Sequence, residues 1–226
     1  MITPQTHDQR AAAASLAHPH GRPAILSAGV DAAQAEGALV LVHGRGGSAQ
    51  DILGLAPMLP IDGWALRAPQ ALGQTWYPYS FLAPTERNEP GLSSGLRRLD
   101  EVADELRSEG IDDSRIVWLG FSQGACLALE YATRRARRWG GVVAFSGGLI
   151  GDALPDSRDG DFGGTPIFMG CSDVDHHIPA ERFNASAEQL QAMGAEVNAR
   201  LYPGMGHTII QDELDAATAL IQAVSA

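Results

Sequence analysis

The run Ile116-Val117-Trp118-Leu119 leads straight into Gly120-Phe121-Ser122-Gln123-Gly124, and the helix-forming run Ala125-Cys126-Leu127 follows at once. No other stretch constrains the fold as much. A chain that passes from strand to helix this quickly must turn so tightly that Ser122 is forced into a strained backbone, and only glycine fits on either side of it. Such a turn lifts the Ser122 hydroxyl clear of its neighbours and aims the start of the next helix at it. The Gln123 N–H is then free to hold a negatively charged oxygen.

The rest of the chain alternates between strand and helix patterns. Ala24 to Ala28 reads as a short first strand and Ala38 to His43 as a clearer one. Ser48 with Asp51 forms a capping-box-like start to a helix expected to run to about Leu59. Trp64 to Ala68 reads as a strand, and a long loop rich in proline and aromatics follows from Pro69 to about Leu92. Leu96, Leu99, Val102, Ala103 and Leu106 share one face of the next helix, with Gly110 past its end. After the Ser122 turn, a helix from Gln123 to about Ala136 precedes strands at Gly141 to Phe145 and Pro166 to Met169. A helix at Ala180 to Met193, a strand at Glu196 to Tyr202 and a helix at Gln211 to Val224 close the chain. Several strands are apolar on both faces, which predicts an α/β fold with a mostly parallel central sheet covered by helices on both sides and no large lid. Ligands of such sheets bind at the carboxyl ends of the strands.

Composition narrows the class. A length of 226 residues suits one α/β domain, expected over 22–226, and residues 1–21 read as a flexible extension without the basic start and apolar core of a signal peptide. A net charge of −11 argues against nucleic acid or an anionic membrane as partner. No apolar stretch approaches the roughly 20 residues of a membrane-spanning helix. A cytoplasmic protein follows, acting on a small molecule, with a homodimer left open. The two cysteines, Cys126 and Cys171, make no disulfide framework, and Cys126 reads as a small packed side chain. Arg134, Arg135, Arg137 and Arg138 read as the basic end of the helix after Ser122 rather than a phosphate site.

A serine hydroxyl needs a base. Of seven histidines, His7, His18 and His20 fall in the expected extension, and His43, His176 and His177 each follow a strand. His207 lies in a short glycine-rich loop between the last strand and the last helix, from which its side chain can lean over the sheet to Ser122. A carboxylate should hold the His207 tautomer, and it should follow an intervening strand. Asp173 and Asp175 both meet that condition, and spacing does not separate them. Asp173, Asp175, His176 and His177 also resemble a metal cluster, but a serine–histidine pair already accounts for a carboxylate here, so no metal or cofactor is expected. Gly44-Arg45-Gly46 fits a loose dinucleotide fingerprint as well, yet as a loop beside Ser122 it supplies a second N–H for the same oxyanion. The Gln74 to Pro78 segment is expected at the pocket rim, with Trp76, Tyr77 and also His177 touching substrate.

Five motifs now stand in order: His43-Gly44-Arg45-Gly46, Gly120-Phe121-Ser122-Gln123-Gly124, Phe145-Ser146-Gly147-Gly148, Asp173 to Pro179, and Tyr202-Pro203-Gly204-Met205-Gly206-His207. Together they resemble the phospholipase/carboxylesterase family of α/β-hydrolases, which includes acyl-protein thioesterases. The resemblance implies Ser122 as nucleophile, Asp175 rather than Asp173 as acid, and His207 as base. It also implies an oxyanion hole made by the backbone amides of Arg45 and Gln123. His176 stands where the family often has proline, and Arg45 where the thioesterase branch looks apolar. Both departures favour a bacterial-type carboxylesterase of small esters, with acyl-protein thioesterase or lysophospholipase as alternatives. A non-catalytic ligand-binding member of the fold is a further alternative, of another class. The Arg45 guanidinium is expected to be free at the pocket mouth, where it can hold an acidic substrate group.

Overall fold

The structure, a computed structural model, describes residues 18–225. Seven strands form one sheet: β1 (Ile25–Gly29), β2 (Ala38–Val42), β3 (Ala65–Pro69), β4 (Ile116–Phe121), β5 (Gly141–Phe145), β6 (Pro166–Ser172) and β7 (Glu196–Tyr202), in the spatial order β1-β3-β2-β4-β5-β6-β7. All neighbours are parallel except β1, which pairs antiparallel with β3. Each segment predicted as a strand is one. The two edge strands are the least buried, as expected where one side of a strand meets solvent.

Alternation along the central strands divides the core in two. Val40, Val42, Trp118, Val142, Ala144, Ile167 and Met169 face α2 (Gly91–Ser108), α3 (Gln123–Arg134) and α4 (Ala180–Ala192). Leu39, Leu41, Val117, Leu119, Val143 and Phe145 face α1 (Ala49–Leu53) and α5 (Gln211–Ser225). In α2, Leu96, Leu99, Val102, Ala103 and Leu106, the helical stripe read from sequence, are all buried, and Leu92, expected at the end of the loop, is buried in the first turn with them. Each buried leucine contributes about 1.5–3 kcal/mol, and Leu99→Ala should cost about 2–5 kcal/mol. α3 has no solvent face over Gln123 to Thr133, which explains its nearly continuous small and apolar sequence. It ends at Arg134, where the basic cluster turns to ion pairs: Arg134 with Glu130, Arg135 with Asp100 and Arg137 with Asp113.

Two expectations need correction. The helix after Ser48 has its capping box but stops at Leu53, with a separate short turn at Ala56–Met58. Gly54 and Pro57 break the run that was expected to reach Leu59. Within the supposed flexible extension, residues 18–21 are docked. Pro19–Gly21 forms a 3-10 turn, His20 is buried, and His18 bonds to Ser94 and Glu101 of α2. The remainder of that extension, 1–17, lies outside the described residues.

Candidate active site

β4 and β2 are in register from Ala38 opposite Ile116 to Val42 opposite Gly120, so the 43–47 loop and the Ser122 turn leave the sheet side by side. Ser122 has φ 55°, a region costly for a side chain that bears a Cβ, of order 1–3 kcal/mol. Its N–H donates to the Phe145 carbonyl (2.9 Å), and its carbonyl accepts from Cys126 N–H (3.0 Å), so both neighbouring elements hold the strained residue. A Cβ at Gly120 would lie 2.4 Å from the Gly124 backbone, and one at Gly124 would lie 2.1 Å from the Val42 carbonyl oxygen. Both glycines are therefore obligatory. Ser122 is the N-cap of α3 without a side-chain cap bond, so the first N–H groups of the helix have no partner within it.

His207 reaches across from the β7–α5 loop. Its Nε2 lies 2.8 Å from Ser122 Oγ and its Nδ1 lies 2.7 Å from Asp175 Oδ2. Asp175 Oδ1 accepts from the His177 N–H (2.8 Å) and the Ile178 N–H (3.2 Å). Burial alone would raise the Asp175 pKa, but the bonds from His207, His177 and Ile178 outweigh it and hold the carboxyl below its ordinary value. An ionised Asp175 only accepts, so Nδ1 carries the His207 proton and Nε2 accepts from the serine hydroxyl. The imidazole is packed between Phe121 and His177, with ring centroids 5.0 and 4.8 Å away. Asp173 points elsewhere, accepting from Gly204 N–H (2.8 Å), and His176 is exposed. Among the described residues, no three His, Cys, Asp or Glu side chains converge as a metal ligand set.

These groups open into a cavity of about 660 Å³. Ile52, Leu55, Phe121 and Ile209 line it, as do Tyr77, Phe81 and Ile178. Tyr77 and His177 are among its walls, although Tyr77 is itself buried. Trp76 is not. It is fully buried beneath the loop, its indole N–H donating to the His43 carbonyl (2.9 Å) and its main-chain N–H to Gln123 Oε1 (2.9 Å). A loop without periodicity can still carry a core residue when distant partners satisfy its polar groups, so Trp76, expected to touch substrate, is instead a core residue that does not line the cavity.

Arg45 also departs from expectation. Its guanidinium donates to Thr75 Oγ1 (2.9 Å) and to the carbonyls of Tyr77 (2.8 Å), Pro78 (3.0 Å) and Tyr79 (2.7 Å). Four of its five N–H groups are thus committed to the 75–79 loop, and the side chain clamps the cavity wall instead of waiting for a substrate carboxylate. Gln123 reinforces the same wall through Nε2–H to the Tyr77 carbonyl (2.8 Å). The Gly46 N–H donates to the Gln74 carbonyl (2.8 Å) and the Gly47 N–H to the Gly44 carbonyl (3.1 Å); the Arg45 N–H enters neither bond. His43 is buried and neutral in character, with burial lowering its pKa. It holds the loops together, its Nδ1 against the Gly44 carbonyl and its Nε2 accepting from Ala71 N–H.

Two buried side chains near the site were not singled out as functional from sequence. Cys126 lines the cavity, and burial pushes its thiol up to about 12. Glu213, in the first turn of α5, is fully buried against Gly170 of β6. One carboxylate oxygen accepts from the Ile210 N–H (3.0 Å) and the other has no partner among the described residues; burial pushes its pKa up to about 7.

The mostly parallel sheet covered by helices, together with the family and relatives that the chain matches, makes it an ester-hydrolysing enzyme of the α/β-hydrolase type. The chain belongs to the phospholipase/carboxylesterase family, whose model matches residues 23–225. It is similar to the crystal structure of a phospholipase/carboxylesterase from Dyadobacter fermentans, with 45% identity and a TM-score of 0.86 over 88% of this chain and 96% of that one. Acyl-protein thioesterase 1 of Gibberella zeae is 29% identical over 184 residues, 76% of this chain and 75% of the relative. A probable carboxylesterase of rice, Oryza sativa subsp. japonica, is 29% identical over 133 residues, 58% of this chain and 57% of the relative. Among the described residues, no helix is long and apolar enough to cross a membrane.

Proposed function

We propose that the chain is a serine carboxylesterase that hydrolyses small esters through an acyl-enzyme. One observation carries the reading: His207 stands 2.8 Å from Ser122 Oγ on one side and 2.7 Å from Asp175 on the other. Ser122 Oγ attacks the ester carbonyl while its proton passes to His207 Nε2. The negative oxygen of the tetrahedral intermediate is held by the backbone N–H groups of Arg45 and Gln123, a type of interaction whose loss costs about 10²–10³ in kcat. The imidazolium, stabilised by Asp175, then protonates the leaving alcohol. Water takes the alcohol's place, gives a proton to His207 and releases the acid, and Ser122 recovers its proton. The cavity size and its apolar walls favour a small or medium uncharged ester over a large macromolecular one. A thioester passes through the same steps, and the thioesterase relative supports keeping it as the second reading. A panel of esters and matched thioesters of rising acyl length, run on the native chain and on Ser122→Ala, tests both. Turnover is expected in the native chain, highest on short esters, and about 10³-fold or more lower in Ser122→Ala. Native-level turnover in a pure Ser122→Ala preparation refutes the mechanism, and a strong preference for long-chain thioesters refutes the substrate class.

A further inference from the structure

The segment His18-Pro19-His20-Gly21 looks remote from the chemistry, yet its contacts lead directly to it. The His20 main-chain N–H donates to Ser94 Oγ of α2 (3.0 Å), the same hydroxyl that faces His18 Nδ1 (2.9 Å). The buried His20 ring then reaches the cavity-wall loop from behind. Its Nδ1 accepts from Leu72 N–H (3.0 Å), which leaves the proton on Nε2, and Nε2–H donates to the Trp76 carbonyl (2.9 Å). The His20 ring also packs edge-on against the Trp76 indole, with centroids 5.3 Å apart. Burial keeps the imidazole pKa below its ordinary value, in accord with this neutral tautomer.

Trp76 is the hub. Its three polar groups go to three different places: carbonyl to His20, main-chain N–H to Gln123 Oε1, and indole N–H to the His43 carbonyl. Gln123 directly follows Ser122, and His43 begins the loop that carries Arg45. Both segments assigned to the oxyanion hole are therefore bonded to one tryptophan, and the tryptophan is fixed from outside by one histidine. We infer that His20 is a positioning residue for the reaction: by fixing Trp76 it keeps the Arg45 and Gln123 amides at the spacing an oxyanion needs. This rests on the reading of Ser122 as nucleophile. Amide donors work only within a few tenths of an ångström of their optimum, and a misplacement of about 1 Å costs up to about 100-fold. Substrate binding, which depends on the apolar walls, does not share that sensitivity.

The test is steady-state kinetics of the full chain on p-nitrophenyl butyrate, with Tm measured alongside. His20→Ala is expected to lower kcat by about tenfold or more with KM within about threefold of wild type. His20→Gln, whose carboxamide keeps one donor and one acceptor about as far apart as the ring nitrogens, is expected to recover most of the loss. Ile221→Val, a core change on the opposite face of the sheet, serves as the stability control and should keep kcat. If His20→Ala does not accumulate folded, Ser94→Ala removes the His20 anchor and should show a smaller fall in kcat in the same sense. Wild-type kcat in folded His20→Ala or Ser94→Ala overturns the inference. So does a His20→Gln variant as slow as His20→Ala, or a loss of kcat in Ile221→Val that follows its Tm. A native chain inert to esters, or active without Ser122, refutes the nucleophile reading instead and is recognised before any His20 variant is compared.

Discussion

Replacing Asp175 by asparagine changes one atom, and the structure dictates which way the new amide must face. Oδ1 accepts two backbone N–H groups, from His177 (2.8 Å) and Ile178 (3.2 Å), so the asparagine oxygen is held there. The amide nitrogen is thereby forced into the Oδ2 position, 2.7 Å from His207 Nδ1. Two donors do not face each other, so His207 must give up its Nδ1 proton and carry it on Nε2. That proton then points at Ser122 Oγ, where an acceptor is needed. The fold survives and the base is lost. The expected fall in kcat is about 10⁴-fold, equivalent to roughly 5–6 kcal/mol of barrier. Loss of the charge weakens the bonds to His177 and Ile178 by about 1–2 kcal/mol, a Tm fall of several degrees. There is a pH signature too. The Asp175 pKa is depressed in the folded state, so its stabilisation is complete above the unfolded carboxylate pKa of about 4 and is lost as pH falls through the folded value. The variant should therefore show a flatter decline of Tm in acid than the native chain. The assay is kcat on a small ester with parallel thermal melts from pH 2 to 7. An Asp175→Asn enzyme within tenfold of native kcat would refute the reasoning.

Asp173→Asn is expected to stay within about threefold of native kcat, because its contact, Gly204 N–H to Oδ1, survives as a bond to an amide oxygen; a collapse in kcat would show that the wrong aspartate was assigned. Arg45→Ala should release the 75–79 loop, lowering stability by about 1–3 kcal/mol and kcat by about tenfold or more, equally on neutral and carboxylate-bearing esters. A selective loss on the anionic ester, compared on matched substrates, would contradict the clamp. The Glu213 pKa is raised to about 7, so the folded state keeps a proton that the unfolded state gives up from about pH 4.5, and stability falls as pH rises across that window. Glu213→Gln does not ionise, and its stability relative to native should improve by roughly 3 kcal/mol between pH 4.5 and 8, read from denaturant melts. A constant difference across that range would show that Glu213 is not titrating there.

What the sequence made legible was periodic or punctuated. The stripe of α2, the glycines flanking Ser122 and the apolar central strands each follow from a repeat or a steric limit within a few neighbouring residues. The meeting of His207 and Ser122 was legible because strand–loop–helix order implies which loops lie together above the sheet. The loop from 69 to 92 was legible only as a loop. Trp76 is buried by partners 33, 47 and 56 residues away in sequence, namely His43, Gln123 and His20, and no local pattern records such bonds. The same holds for the Arg45 guanidinium, whose acceptors are mostly backbone carbonyls, a group every residue carries. His20 was missed for a related reason: a four-residue segment is too short to show a period, and its burial depends wholly on α2 and the far loop.

The central claim is that Ser122 forms a covalent acyl-enzyme, and trapping the adduct tests it most directly. The native chain, treated with a fluorophosphonate and digested, should carry one adduct by mass spectrometry, on the peptide containing Gly120 to Gly124 and at Ser122 itself. Ser122→Ala should carry none, and Asp175→Asn should react far more slowly. An adduct on any other residue, or a native chain that turns over esters at full rate while remaining unlabelled, would contradict the account.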